Sequence, residues 1–127
     1  MAEQPLNLNS STEMKSVLII DDEEDIGHLM MSMLSREGYT VKYASTATRA
    51  RELLKENEFH TILLDLHLGE EQGLNLLGDI GESQRDPHIV VITAYDEPII
   101  RKKVAKAGIH DFIPKPFKKS QVLELIA

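Results

Sequence analysis

The chain has 127 residues, no cysteine and a formal net charge of −7, with 21 acidic residues against 14 basic ones. That length suits one domain with its own core. The missing cysteines exclude disulfides and thiolate chemistry, and the acidic balance works against a broad nucleic-acid or anionic-membrane surface.

Residues 1–14 are polar and aperiodic, around Pro5 and Ser10-Ser11-Thr12, and a disordered leader is expected there. The domain is expected over residues 15–127. Val17-Leu18-Ile19-Ile20 is short, apolar and β-branched, like strands covered on both faces of a parallel sheet. It runs into Asp21-Asp22-Glu23. The spacing of Ile26, Leu29, Met30, Met33 and Leu34 predicts a helix over residues 24–37, closed by Gly38, with its methionines in ordinary packing. Residues 41–44 read as a second strand. Ser45 or Thr46 can cap the next helix, which runs to Lys55 with Ala50, Leu53 and Leu54 on its apolar side. Residues 60–64 form a third strand that delivers Asp65. Gly69 marks a loop, and a helix follows over residues 73–80 despite Gly78. Residues 89–93 make the fourth strand. Pro98 opens a helix to Ala107 that Gly108 closes. A brief fifth strand over residues 111–113 precedes Lys115-Pro116, and residues 118–126 form the last helix. The alternation predicts an α/β fold: a five-stranded parallel sheet of (βα)5 type with helices on both faces.

Asp21, Asp22 and Asp65 then stand at the carboxyl ends of two predicted strands, with Thr93 and Lys115 at the ends of two more. That edge is where open α/β sheets place their sites. Carboxylates held together demand a cation or a proton, and oxygen-only ligands favour a hard ion, Mg2+ or Mn2+. A carboxylate can also attack phosphorus to give an acyl phosphate. Lys115 offers a positive charge for the phosphoryl oxygens and Thr93 a hydroxyl donor. Alone, each aspartate reads equally as a helix cap or a solvated loop residue, Thr93 more readily as a cap or loop hydroxyl and Lys115 more readily as a solvated charge; their order on successive strand ends makes the set informative.

Asp21-Asp22-Glu23, Asp65, Gly73, Thr93-Ala94, Phe112 and Lys115-Pro116-Phe117 together resemble the receiver domain of bacterial response regulators, over residues 15–127. The resemblance implies a flavodoxin-like topology and a place in a two-component or phosphorelay system. Asp65 would accept phosphoryl, in a Mg2+-dependent step, from the phosphohistidine of a sensor histidine kinase or a histidine phosphotransfer protein. It further implies that Asp22 binds Mg2+ directly, Asp21 mainly through water, and the backbone carbonyl of His67 as a third protein ligand. Thr93 and Lys115 would hold the phosphoryl oxygens. Phe112 takes the place of the switch aromatic that turns inward as Thr93 moves, altering the partner preference of the surface made by the fourth helix, fifth strand and fifth helix. Such a module catalyses its own phosphorylation and dephosphorylation without being a conventional turnover enzyme. Two departures stand out. Gly69 occupies the position, four residues after Asp65, where the family commonly has proline, which frees that loop. Phe112 lacks the hydroxyl of the commoner tyrosine. The side chains of His67 and of Tyr95, two residues past Thr93, are expected to tune dephosphorylation.

Two other classes of function are weighed against this one. A phosphorylation-independent, receiver-like interaction module would not need the polar set. An aspartate-nucleophile phosphohydrolase would share the aspartate, Mg2+ and lysine, but Asp65-Leu66-His67 lacks a second acid two residues on. Arg101-Lys102-Lys103 with Lys106 is a solvated basic face or a contact for an acidic partner or another receiver. Direct nucleic-acid binding is not expected. His28, His60, His88 and His110 show no ligand spacing and receive no role. No apolar run approaches the roughly 20 residues of a membrane span, and the N-terminus lacks the stretches of a signal peptide. A cytoplasmic protein is expected, acting alone, as a receiver homodimer or with an output domain outside this segment.

Overall fold

Period-two alternation of buried apolar side chains builds the centre of the molecule. A computed structural model describes residues 15–126; the expected leader over residues 1–14 lies outside them. Five strands, Ser16–Ile20 (β1), Thr40–Ala44 (β2), Thr61–Leu64 (β3), His88–Thr93 (β4) and Asp111–Pro114 (β5), form one parallel sheet in the order β2-β1-β3-β4-β5. The helices are Glu24–Arg36 (α1), Ala47–Glu56 (α2), Leu77–Ser83 (α3), Pro98–Lys106 (α4) and Lys119–Ile126 (α5). Leu18, Ile20, Ile62 and Leu64 pack on one face with Ala50, Leu54 and Ile80 from α2 and α3. Val17, Ile19, Leu63 and Ile92 pack on the other with Met30 and Leu34 of α1 and Val122 of α5. Leu66, Val91, Val104 and Ile109 make a smaller third cluster beneath α4. The expected (βα)5 fold with both faces covered is the observed one, and burial at both faces explains why the central strands read as continuous apolar runs.

Local signals placed most boundaries. The Thr46 hydroxyl accepts the Arg49 N–H at 3.1 Å and starts α2, Pro98 opens α4, and Gly38 and Gly108 follow α1 and α4 with positive φ. Three features differ from expectation. Leu29 does not share the inward arc of α1: it is 60% exposed, while Met30, Met33 and Leu34 are buried. It lies at the margin of that arc, where the apolar count alone could not separate it.

The helix expected over residues 73–80 instead begins as a 3-10 turn, Gly73–Leu76, and becomes α-helical from Leu77 to Ser83. The tighter turn follows from a close approach. The Gly73 N–H donates to the Leu66 carbonyl at 2.7 Å, and a Cβ on Gly73 would collide with the Asp65 carbonyl oxygen and the Leu66 Cα. The loop at Gly69 is in fact a small antiparallel hairpin, His67–Leu68 with Glu71–Gln72. Gln84 was also unforeseen. It is buried, takes the Phe59 N–H at 2.7 Å and donates to the carbonyls of Leu54 and Asn57, both at 2.9 Å, so it ties the end of α3 to the end of α2. No helix among the described residues is long and apolar enough to cross a membrane.

Candidate functional site

Sheet pairing assembles the acidic group. Asp21 and Asp22 follow β1 and Asp65 follows β3, its neighbour, so one oxygen from each carboxylate lies within 4.8 Å of the others. Backbone bonds extend the ladder to hold them there: the Asp65 N–H donates to Ile20 O at 2.8 Å and the Asp21 N–H to Ala44 O at 3.1 Å. Asp21 and Asp65 are buried, at 1% and 4% exposure, while Asp22 is partly exposed. From the far side, the Lys115 N–H donates to Thr93 O at 2.8 Å. Its ammonium reaches Asp65 Oδ2 at 2.9 Å, Asp21 Oδ2 at 2.8 Å and Glu23 Oε1 at 2.6 Å. Thr93 is buried at the end of β4. Asp22, Asp65, Thr93 and Lys115 line one cavity of about 300 Å³, with His67 and Tyr95 also on its wall.

Charge explains the tension in this group. Burial, as the largest cause, pushes the Asp21 carboxyl up to about 6, against the lowering effect of Lys115 and of the Glu23 N–H that donates to Oδ1 at 2.9 Å. Burial alone would lower the Lys115 ammonium, but the contacts with the Asp21, Glu23 and Asp65 carboxylates outweigh that and hold it above the usual lysine range. Asp21 Oδ2 lies near the ammonium yet has no hydrogen bond of its own. Three carboxylates with one oxygen each within 4.8 Å of the others, faced by one buried ammonium, leave negative charge in excess, and oxygen donors suit a hard divalent cation. The acidic trio can chelate one. Tyr43 also belongs here, and nothing in the sequence pointed to it. The pairing of Ile19 with Tyr43 sets its ring beside the end of β1. Its hydroxyl donates to the Asp21 carbonyl at 2.7 Å. Burial, and then the charges of Asp21, Glu24 and Asp22, push that phenol up to about 12.

The hairpin closes the other side. The His67 N–H donates to Asp65 Oδ1 at 3.2 Å. Asp22 Oδ2 accepts the Gly69 N–H at 3.1 Å and stands 3.2 Å from His67 Nδ1. The His67 ring meets Tyr95 edge to face, with centroids 5.6 Å apart, and the Tyr95 N–H donates to the Thr93 hydroxyl oxygen at 3.3 Å.

Phe112 does not line the cavity. It packs against the cluster beneath α4, and the Arg101 guanidinium lies 4.3 Å above its ring while pairing with Asp96. Arg101 is thus engaged rather than simply solvated, whereas Lys102, Lys103 and Lys106 are exposed. Three of the histidines given no role have ties, two of them at the opposite edge of the sheet. His88 pairs with Asp111, and His60 Nδ1 accepts the Ser16 N–H at 3.1 Å. His28 packs edge to face on Tyr43. These pairings join residues too far apart in sequence to show as spacing.

A parallel α/β domain that gathers a carboxylate trio, a threonine and a lysine at its carboxyl edge is of the class that carries phosphoryl groups on an aspartate. The family model of the response regulator receiver domain matches residues 17–127, and the chain belongs to that family. It is 37% identical over 107 residues to Protein PetR of Rhodobacter capsulatus, covering 84% of this chain and 45% of PetR. The chain spans less than half the length of the curated relatives it matches first. A response regulator from Burkholderia pseudomallei, solved with a phosphorylated aspartic acid, a calcium ion and citrate, is similar with a TM-score of 0.83 at 31% identity, over 89% of this chain and 66% of that one. The beryllofluoride-activated NtrC4 receiver domain dimer is similar with a TM-score of 0.79 at 33% identity, over 87% and 92% of the two chains. The chain is therefore a phosphoacceptor receiver module of two-component signalling. Phosphorylation of an aspartate coupled to a conformational switch, with self-catalysed phosphorylation and dephosphorylation, is the behaviour typical of that family.

Proposed function

We propose that Asp65 is the residue that takes up the phosphoryl group, from the phosphohistidine of a sensor histidine kinase or histidine phosphotransfer protein. The contact between the Asp65 carboxylate and the Lys115 ammonium, 2.9 Å apart at the carboxyl edge of the sheet, carries this reading. Asp21, Asp22, Asp65 and the His67 carbonyl are the residues that would hold Mg2+, with Mn2+ as the alternative of similar hardness. Bound there, such a cation would neutralise the carboxylates and screen the charge of the incoming group. An Asp65 oxygen attacks phosphorus in line as the bond from phosphorus to the donor nitrogen breaks and its electron pair returns to the imidazole. Lys115 transfers its attraction to the phosphoryl oxygens, and the Thr93 hydroxyl donates to one of them.

Thr93 movement would release the Tyr95 N–H contact and let Phe112 turn, under the restraint of Arg101. The responding surface is assigned to α4, β5 and α5, where a second receiver or an output domain outside this segment would bind; a cytoplasmic setting belongs to the same reading. The phosphohydrolase reading is weaker, because the position two past Asp65 is His67, whose ring is engaged with Asp22. The test is intact mass over time with Mg2+ and acetyl phosphate, beside Asp65→Asn. One phosphoryl group gained by the wild type and none by the variant is the expected result. Equal uptake by both would overturn the assignment, and failure of the wild type to bind beryllofluoride would favour a phosphorylation-independent docking module.

His67 and Tyr95 form a shared wall of the cavity, and we assign them the tuning of water access to the acyl phosphate. His67→Ala and Tyr95→Ala should each change the decay rate of the phosphorylated protein by about threefold or more, while melting temperature moves little, as expected for exposed side chains. Decay rates equal to wild type in both variants would remove this role.

A further inference from the structure

The hairpin after Asp65 is held from outside the site. Arg51 of α2 donates through Nε to Asp79 Oδ2 of α3 at 3.1 Å. Its terminal nitrogens reach both oxygens of Glu71, Nη1 to Oε1 at 3.3 Å and Nη2 to Oε2. Glu71 pairs with Leu68 across the hairpin, and His67 with Gln72. The turn presents the Gly69 N–H, and the first strand the His67 ring, to Asp22 Oδ2. One guanidinium therefore joins two helices to the second strand of a hairpin whose first strand and turn meet a carboxylate of the site.

An isolated surface ion pair contributes little. This one differs in geometry: the three side chains are only about a third exposed, and a planar fork on two carboxylates fixes direction as well as distance. The bonds from Glu71 and then Asp79 raise the Arg51 guanidinium above its usual range, and Arg51 lowers Glu71. The turn also needs an external restraint. Gly69 has φ of +66° with nothing near a would-be Cβ. Proline is locked near −65° and cannot adopt that conformation, so the ring commonly found at this place cannot stiffen this hairpin.

We propose that Arg51 is a positioning residue for the phosphorylation site, holding the hairpin through Glu71 and Asp79 so that Gly69 and His67 keep Asp22 aimed at Asp21 and Asp65. The inference rests on Asp22 and Asp65 forming the metal and phosphoryl site. It is tested in the metal-free protein by amide hydrogen exchange, and separately by Mg2+ titration followed by nuclear magnetic resonance. Arg51→Met should speed exchange at Gly69 by about tenfold while β1 amides stay unchanged, a local rather than global opening. It should weaken Mg2+ binding by about threefold to tenfold, in line with loss of an outer support. Glu71→Gln should act in the same direction, and Arg51→Lys should recover only part of both effects, since a point charge cannot make the fork. Unchanged Gly69 exchange and Mg2+ affinity, with only a lower melting temperature, would overturn the proposal and leave a simple stabilising ion pair. Failure of the site reading would show differently: the wild type and Asp65→Asn would match in phosphoryl uptake while the exchange result stood.

Discussion

Lys115→Met is expected to destabilise the metal-free protein by about 3–5 kcal/mol near neutral pH, the range for breaking a buried pair by removing one partner. Methionine keeps most of the volume, so the loss isolates charge. The Lys115 side chain is 7% exposed and is shared by Asp21, Asp65 and Glu23. Without it, Asp21 and Asp65 face each other in a buried setting with no counter-charge, which neither can tolerate while ionised. Mg2+ should then restore more stability to the variant than it adds to the wild type, because the cation takes over neutralisation of the trio. Phosphoryl uptake from acetyl phosphate should still fall, by about 100-fold, the usual effect of removing one preorganised group from a developing anion. Urea unfolding with and without Mg2+ reads the first two effects and intact mass the third. Wild-type stability of the variant in chelator would show that the ammonium does not compensate these carboxylates.

The second large effect is on pH. Asp21 titrates at about 6 in the folded protein against an ordinary 3.8, with burial the largest cause. The folded state thus binds this proton more tightly than the unfolded chain does. The stability linked to it is fully present below 3.8 and is lost as pH rises through about 6. The whole effect is about 3 kcal/mol, with about 1 kcal/mol of it falling between about pH 5.5 and pH 7.5. Asp21→Asn removes the titrating group, so in chelator the variant should be more stable than wild type near pH 7.5 and should lose less stability across that interval. A divalent cation held by the ionised trio would compete with the proton, so stabilisation of the wild type by added Mg2+ should grow with pH over the same interval. Urea unfolding in chelator, compared between wild type and Asp21→Asn, decides it. Parallel pH profiles for the two proteins would rule out Asp21 as the source.

Much of this was legible without coordinates, for reasons tied to particular residues. Val17-Leu18-Ile19-Ile20 and Ile62-Leu63-Leu64 reach only as far as a buried strand needs, and the polar residues at their ends had no packing role to perform. Thr46, Pro98, Gly38 and Gly108 carry local backbone chemistry that works wherever the segment lies. Leu29 failed because helical spacing gives an angle around the axis and not the width of the groove beneath it. The hairpin failed because two-residue strands hold too little alternation to register, and its support comes from Arg51 on another helix. Tyr43 and Gln84 failed because a hydrogen bond to a distant carbonyl leaves no mark in either segment.

Residue type and periodicity by themselves determined the (βα)5 order and the placing of Asp21, Asp22, Asp65, Thr93 and Lys115 at the carboxyl ends of strands, because those depend on interactions within a few residues and on one general rule of parallel sheets. Only the tertiary structure decided that Asp21 and Asp65 are buried, that Lys115 is shared among three carboxylates, that Arg101 lies over Phe112, and that Arg51 holds the hairpin. Burial and distance between segments far apart in the chain arise when helices dock on the sheet, and they set the charge balance that local propensity does not contain.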